Sequence, residues 1–320
     1  MKIVFAGTSK FSCFHLELLL KSEHEISLVL TQPDRKSGRG KKIMSSPVKV
    51  LALKNKIEVL QPDSIKNNNF ISSRLMEQSP DIMLVVAYGL ILPKEILQIP
   101  KLGCINVHAS LLPRWRGASP IERCIQEGDK ESGITFMRMD EGLDSGTILD
   151  QFSCLLNSSE TSGSLKNKLK EISRAKLIKF LKDLSQGKIK EKKQDSSLVT
   201  YAKKISSEKN EIKWEKYDAT FIDRKIRSLS PKYGAYTFLD KRRIKIFMAK
   251  VDSHPLNLVP GKLKMVRNKE LHVGCSKNSS IEIVTIQPEG KKSMLSNEFI
   301  KGNKKKLLEI KKFSSLALEN

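Results

Sequence analysis

The chain predicts two folds in series: a doubly wound, mostly parallel α/β sheet, then a smaller OB-like β-barrel. Three observations carry this. Apolar strand-like runs alternate with amphipathic helical segments from the first residue to about residue 188, which is the pattern of a parallel sheet with helices on both faces. From about Ser206 the texture changes to short β-like runs punctuated by Gly and Pro, the pattern of a small antiparallel barrel. Between them lies a polar, Lys-rich stretch, Lys188 to Ser197, of linker composition.

Lys2–Ala6 reads as a buried strand ending at Gly7. The helix after it places Phe11, Phe14, Leu18 and Leu19 on one stripe. Strands follow at 26–31 and 58–60, separated by a helix at 48–56 that starts behind Pro47. A helix at 70–78 leads to a strongly apolar strand, 81–87, ending at Tyr88-Gly89. A short helix at 93–99, a strand at 103–108 and a helix at 120–127 come next. Two strands, 135–139 and 148–155, flank a Gly-rich turn. A long amphipathic helix, 164–184, buries Leu165, Leu169, Ile172, Leu177, Phe180, Leu181 and Leu184. The second part begins with a strand-like piece ending at Lys213-Trp214 and a helix at 219–228. Strands at 235–239, 244–251, 260–266, 271–274 and 280–287 follow. Phe299–Gly302 closes the barrel, and Lys304-Lys305-Lys306 opens a basic tail. The expected division is a domain over 1–188, a linker over 189–205, a basic barrel over 206–303 and a tail over 304–320.

The formal net charge is +23, which suggests a polyanionic partner. A Lys-rich proteome would also raise the charge, but would spread it evenly. Here residues 1–188 carry a net +8, and the shorter stretch 189–320 carries a net +15. The asymmetry favours a basic second domain that touches nucleic acid. The five cysteines are scattered and form no C-x-x-C pair, against both a disulfide framework and a zinc site. No segment approaches the ~20 apolar residues of a membrane span, and the N-terminal apolar run is too short for a signal peptide. The expectation is a soluble, cytoplasmic protein with no metal and no membrane contact, most simply a monomer.

Ligands in doubly wound sheets sit beyond the carboxyl ends of the strands. Tyr88-Gly89, Asn106 and His108 fall at such ends. Asn106 and His108 are two residues apart, so on a strand they share a face. Asp144 follows in the turn Met139-Asp140-Glu141-Gly142-Leu143-Asp144-Ser145-Gly146. An amide donor, an imidazole and a carboxylate are the parts needed to move an acyl group between nitrogens. The first turn, Gly7-Thr8-Ser9-Lys10-Phe11-Ser12, has one glycine and no G-x-G-x-x-G, and Gly38-Arg39-Gly40-Lys41-Lys42 lacks phosphate-loop spacing. Neither codes a phosphate cradle.

The block from Cys104 through Asn106, His108, Ser110-Leu111-Leu112-Pro113 and Arg116-Gly117 to Ile121 resembles the formyltransferase family that uses 10-formyltetrahydrofolate. Thr31–Asp34, Gly38–Lys42, Ser46–Lys49 and Val85–Pro93 resemble, within it, the branch that formylates methionyl initiator tRNA. The resemblance implies a Rossmann-like catalytic domain with Asn106, His108 and Asp144 as the catalytic residues, whether Asp144 fixes the His108 tautomer or relays a proton. It implies that Ser110, Leu111, Leu112 and Pro113, with Tyr88, Gly89, Leu90 and Ile91, contact the folate. It implies that the basic segment 35–42, through Arg35, Lys36, Arg39, Lys41 and Lys42, meets the tRNA acceptor end. Two departures stand out: Ser9 where members commonly have Pro, and Ser230-Pro231-Lys232 where they often have Asn-Pro-Trp. A formyltransferase or hydrolase with a small-molecule acceptor shares the triplet but gives no reason for the basic charge. A non-catalytic RNA-binding protein explains the charge but not the triplet.

Overall fold

The computed structural model describes residues 1–37, 42–206 and 208–314. It divides into two compact units: Met1–Pro120, Glu131–Leu155 and Lys166–Lys203 form the first, and Ile121–Lys130, Leu156–Leu165 and the chain from Lys204 form the second. This differs from the division expected from composition. The stretch 189–203 clusters with the first unit because its backbone pairs there: Lys192 bridges Ile148, and Tyr201 bridges Arg116.

In chain order the elements through the long helix are β1 (Lys2–Gly7), α1 (Lys10–Leu20), β2 (Glu25–Leu30), β3 (Arg35–Ser37), β4 (Lys42–Met44), α2 (Pro47–Lys54), β5 (Val59–Leu60), α3 (Asn69–Gln78), β6 (Ile82–Val86), α4 (Lys94–Leu97), β7 (Cys104–His108), α5 (Pro120–Glu127), β8 (Glu131–Arg138), β9 (Ile148–Leu155) and α6 (Ser162–Ser185). The sheet order is β5-β2-β1-β6-β7-β8-β9. Its first five strands are parallel. Strand β8 runs antiparallel to both its neighbours, β7 and β9, and the turn that joins it to β9 is too short for the crossover a parallel pair needs. Both β2 and β6 flank β1, so the connections diverge there and open a crevice at the carboxyl ends of β1 and β6. Strands β1 and β6 are buried on both faces, which explains their unbroken apolar runs. Side-chain oxygens of Ser9, Ser46 and Asn68 cap α1, α2 and α3.

Two expected stripes shift by a residue. The buried positions of α1 are Phe11, Ser12, His15, Leu16 and Leu19, with Phe14 and Leu18 half-buried. In α6 Ser173 takes the buried place expected for Ile172. Polar side chains, Ser12, His15 and Ser173, hold buried places here, and a reading by apolarity alone passes over them.

The second unit adds α7 (Ala219–Leu229), β10 (Ala235–Leu239), β11 (Arg242–Val251), β12 (Leu263–Val266), β13 (Glu270–Cys275), β14 (Ser279–Pro288), β15 (Met294–Leu295) and α8 (Ser296–Ile310). The antiparallel order is β10-β11-β14-β13-β12, with β15 on β14. Closure comes from Lys312–Ser314, not from Phe299–Gly302. Ser314 bridges Phe238 of β10, and Lys312 bridges Lys262 next to β12, joining the two edges. Phe313 stacks on Trp214 at 5.9 Å between ring centroids, and the Trp214 indole donates to Thr237 Oγ1 at 2.9 Å. Residues 299–302 lie in α8, as do Lys304–Lys306, expected to open a tail. Among the described residues no helix is long and apolar enough to cross a membrane.

Candidate active site

The site is built at the end of β7. Asn106 and His108 leave that strand on one side. The turn between β8 and β9 brings Asp144 to them. Asp144 sits at φ +50, a left-handed conformation that Asp tolerates better than most side chains. Its Oδ1 accepts from Asn106 Nδ2 at 3.2 Å, and its Oδ2 accepts from the Gly117 amide at 2.7 Å. His108 Nδ1 lies 3.6 Å from Oδ2, with both side chains mostly buried. That separation is too long for a direct hydrogen bond and leaves the pair to interact by charge or through water.

The other ring nitrogen decides the tautomer. His108 Nε2 is 2.9 Å from the carbonyl oxygen of Trp115. A carbonyl only accepts, so Nε2 carries the hydrogen and neutral His108 keeps a lone pair at Nδ1, toward Asp144. The tautomer is therefore set by a backbone carbonyl and not by Asp144. Trp115 adopts φ +66, an unfavourable conformation for a bulky residue, costing about 1–3 kcal/mol. It is held there by its amide, which donates to Thr200 Oγ1 at 2.9 Å.

The segment Ser110–Pro113 is fixed from β8 and β9. Thr135 Oγ1 donates to Ser110 O at 2.6 Å and accepts from Leu112 N at 3.1 Å. Gln151 Nε2 donates to Leu112 O at 2.8 Å. Ser110 and Leu112 are buried, Leu112 against Met137 and Ile148, while Leu111 and Pro113 are half-buried. Tyr88 is buried in the core of the sheet, and its carbonyl accepts from Thr8 Oγ1 and Gln32 Nε2. Gly89 takes φ +87. Leu90 is half-buried against the same core, and Ile91 is 79% exposed. Of the eight positions expected to meet a folate, Leu111, Pro113, Gly89, Leu90 and Ile91 therefore have surface to offer, whereas Ser110, Leu112 and Tyr88 are buried.

The basic segment forms a two-stranded hairpin, Arg35 pairing with Met44 and Ser37 with Lys42. Arg35 is exposed. Arg39 and Lys41 lie outside the described residues, as do the side chains of Lys36 and Lys42. Among the described residues no group of His, Cys, Asp and Glu could hold a metal. A cleft of about 1080 Å³ lies wholly within the second unit and includes none of Asn106, His108 and Asp144.

Sequence reasoning gave no role to Gly117, Trp115, Thr200 or Gln194. Gly117 carries a readable signal, a glycine in a polar turn, and its φ is +111. Gln194 and Thr200 lie in a stretch whose composition suggested a linker.

At the carboxyl end of β7 an amide, an imidazole and a mostly buried carboxylate stand together, the carboxylate bonded to the amide and 3.6 Å from the imidazole, a set of groups that suits acyl transfer. Two family models match: Formyl transferase over residues 1–181, and Formyl transferase, C-terminal domain, over residues 204–304. The chain belongs to the formyl transferase family. Among solved structures it is similar to HypX from Aquifex aeolicus in complex with tetrahydrofolic acid, with TM-score 0.65 and 16% identity over 100% of this chain and 50% of HypX. This chain thus spans half the length of that protein. It is similar to WlaRD, a sugar 3N-formyltransferase solved with dTDP and 5-N-formyl-THF, with TM-score 0.63 and 18% identity over 91% of this chain and 99% of WlaRD. It is similar also to an N-formyltransferase from Helicobacter canadensis in complex with folinic acid and dTDP-3-aminofucose, with TM-score 0.65 and 18% identity over 90% and 99% of the two chains. Identities this low speak to a shared fold.

Proposed function

We propose that this chain is a cytoplasmic enzyme that transfers the formyl group of 10-formyltetrahydrofolate to the α-amino group of methionyl initiator tRNA, giving N-formylmethionyl-tRNA for translation initiation. The observation that carries formyl transfer is the Asn106–Asp144–His108 cluster within a formyl transferase chain. What supports a tRNA acceptor is the excess of positive charge in residues 189–320, with a hairpin at 35–44 that carries further cations.

The donor set suits a folate. Exposed Ile91 and half-buried Leu90, Leu111 and Pro113 offer apolar contact, and a compact pterin ring is best held by such surface with a few polar groups. When bound, 10-formyltetrahydrofolate supplies an activated formyl group. Asn106 spends one amide hydrogen on Asp144 and has a second for the formyl oxygen, where negative charge develops as the amine attacks. A preorganised donor of that kind lowers a barrier by roughly 3–4 kcal/mol. His108 Nδ1 accepts a proton from the attacking amine, since its tautomer leaves that nitrogen basic. Asp144 stabilises the imidazolium so formed. A new C–N bond to the amine replaces the C–N bond to the donor, and the proton lost by the amine ends on the donor nitrogen.

The test is direct. The chain is incubated with 10-formyltetrahydrofolate and methionyl initiator tRNA, and N-formylmethionine is measured. A dTDP-linked amino sugar serves in parallel as competing acceptor. Formylation of the sugar but not of the tRNA would overturn the acceptor, and formylation of neither would overturn the reading.

A further inference from the structure

The segment of linker-like composition passes beside the Asp144 turn and makes one side-chain contact that nothing in the proposed chemistry uses. Gln194 Nε2 donates to the carbonyl oxygens of Asp144 and Gly146, both at 2.8 Å. Its Oε1 accepts from Arg116 Nε at 3.0 Å and Nη2 at 2.8 Å. The orientation of the amide is settled by its partners, since carbonyls only accept and a guanidinium only donates. Gln194 therefore ties the turn that carries Asp144 to the loop whose next residue, Gly117, donates to the Asp144 carboxylate.

The tie is stiff at both ends. Lys192 exchanges two backbone hydrogen bonds of 2.8 Å with Ile148. Arg138 Nε donates to Glu191 Oε1 at 2.8 Å, and Thr147 Oγ1 donates to Glu191 Oε2 at 2.5 Å. On the other side Arg116 N donates to Thr200 O at 2.9 Å, and Ala202 N donates to Arg116 O at 2.7 Å. Gln194 lies between these anchors.

We propose that Gln194 is a positioning residue for the formyl-transfer site, holding the Asp144 carboxylate at the distance from the Gly117 amide and His108 that the reaction needs. The inference rests on the formyl-transfer reading above. The chemistry specifies the residue type. Only a neutral amide of this length presents two donors to two carbonyls and an acceptor to the guanidinium. Glutamate would turn an acceptor toward the Asp144 and Gly146 carbonyls, lysine would repel Arg116, and asparagine falls a methylene short of spanning both.

The experiment uses the full chain as wild type, Gln194→Met, Gln194→Glu, Asp144→Asn and the double variant Gln194→Met/Asp144→Asn, with Asn106→Ala as a site control. Thermal midpoints confirm folding. Gln194→Met and Gln194→Glu are expected to lower kcat about tenfold to a hundredfold while KM for donor and acceptor stays within about threefold. Because Gln194 acts through Asp144, its loss should cost little once the carboxylate is gone, so the double variant should match Asp144→Asn. Wild-type kcat in both Gln194 variants, or losses that multiply in the double variant, would overturn the inference. A crystal structure of Gln194→Met gives an answer independent of the acceptor: an unmoved Asp144 carboxylate on the Gly117 amide overturns it, and a displaced turn supports it. Loss of activity in Asn106→Ala together with wild-type behaviour in the Gln194 variants would sink the positioning role alone. Activity retained in Asn106→Ala would sink the reading of the site.

Discussion

His108 donates its Nε2 hydrogen to the carbonyl oxygen of Trp115 at 2.9 Å. A backbone position strained at φ +66 thus decides which imidazole nitrogen is basic. The strain is paired with anchoring at Thr200, so the ring is preorganised before any substrate arrives. In the proposed reaction Asp144, 3.6 Å from the opposite nitrogen, would answer the charge that His108 gains.

That division of labour makes Asp144→Asn a discriminating variant. Its side-chain carbonyl can still accept from the Gly117 amide, but it cannot stabilise an imidazolium. We expect kcat to fall about a hundredfold to a thousandfold with KM nearly unchanged. His108→Ala and Asn106→Ala should fall by at least as much. Steady-state formylation measures all three, and wild-type turnover in any of them removes that residue from the chemistry.

Gly146, in the turn that carries Asp144, has no room for a side chain. A Cβ on Gly146 would lie 1.9 Å from the carbonyl oxygen of Arg138 and 3.0 Å from its carbon. Backbone cannot yield as a flexible side chain would. Gly146→Ala should cost about 1–3 kcal/mol of stability and lower kcat further than the unfolded fraction explains. Gly187→Ala is the control: at φ +66 with open space around it, it should cost about 1 kcal/mol with kcat intact. Denaturant unfolding and kinetics on the same preparations check both.

Much of this architecture was readable in the chain. The i, i+2 spacing of Asn106 and His108 at a strand end announced a shared face, and the apolar runs 3–6 and 82–86 announced strands buried on both sides. What was not readable has particular causes. The hairpin turns Asp240-Lys241, Arg267-Asn268 and Lys277-Asn278 have positive φ at both residues, the type I′ pattern, yet hold no glycine to signal it. Closure of the barrel by Lys312–Ser314 depends on pairing with strands more than forty residues away, which local pattern does not encode. Gln194 looked like linker because a side chain recruited by two loops leaves no periodicity. Within the mostly parallel sheet β8 alone runs against the rest, antiparallel to both β7 and β9, and no local pattern in its sequence marks that direction.

Charge in the segment 35–42 yields a prediction about salt. Replacing Arg35, Lys36, Arg39, Lys41 and Lys42 by Gln should raise KM for methionyl-tRNA and leave KM for the formyl donor unchanged. If these cations neutralise phosphates, every cation–phosphate pair removed should flatten the slope of log(kcat/KM) against log salt by about 0.7–0.9. Kinetics between low and physiological salt measure it. An unchanged slope with tRNA would exclude the segment from the acceptor interface.

His15 governs a different property. It is fully buried in α1, its Nδ1 2.8 Å from the carbonyl of Phe11 and its ring edge-on to Phe11 at 4.6 Å. Burial pushes its pKa down to about 4 from the ordinary 6.5. The unfolded chain therefore binds a proton more readily than the folded one. The contribution of a neutral His15 is fully present above pH 6.5 and is lost as pH falls from 6.5 toward 4, at about 1.4 kcal/mol per unit and about 3 kcal/mol in all. His15→Phe removes the titration and the unpartnered Nε2 together. Urea midpoints across that window should fall steeply for the wild type and less steeply for the variant, with the two curves closest above pH 7 if the ring packs equally well. Parallel curves from pH 7 to pH 4 would show that His15 takes no part in acid unfolding.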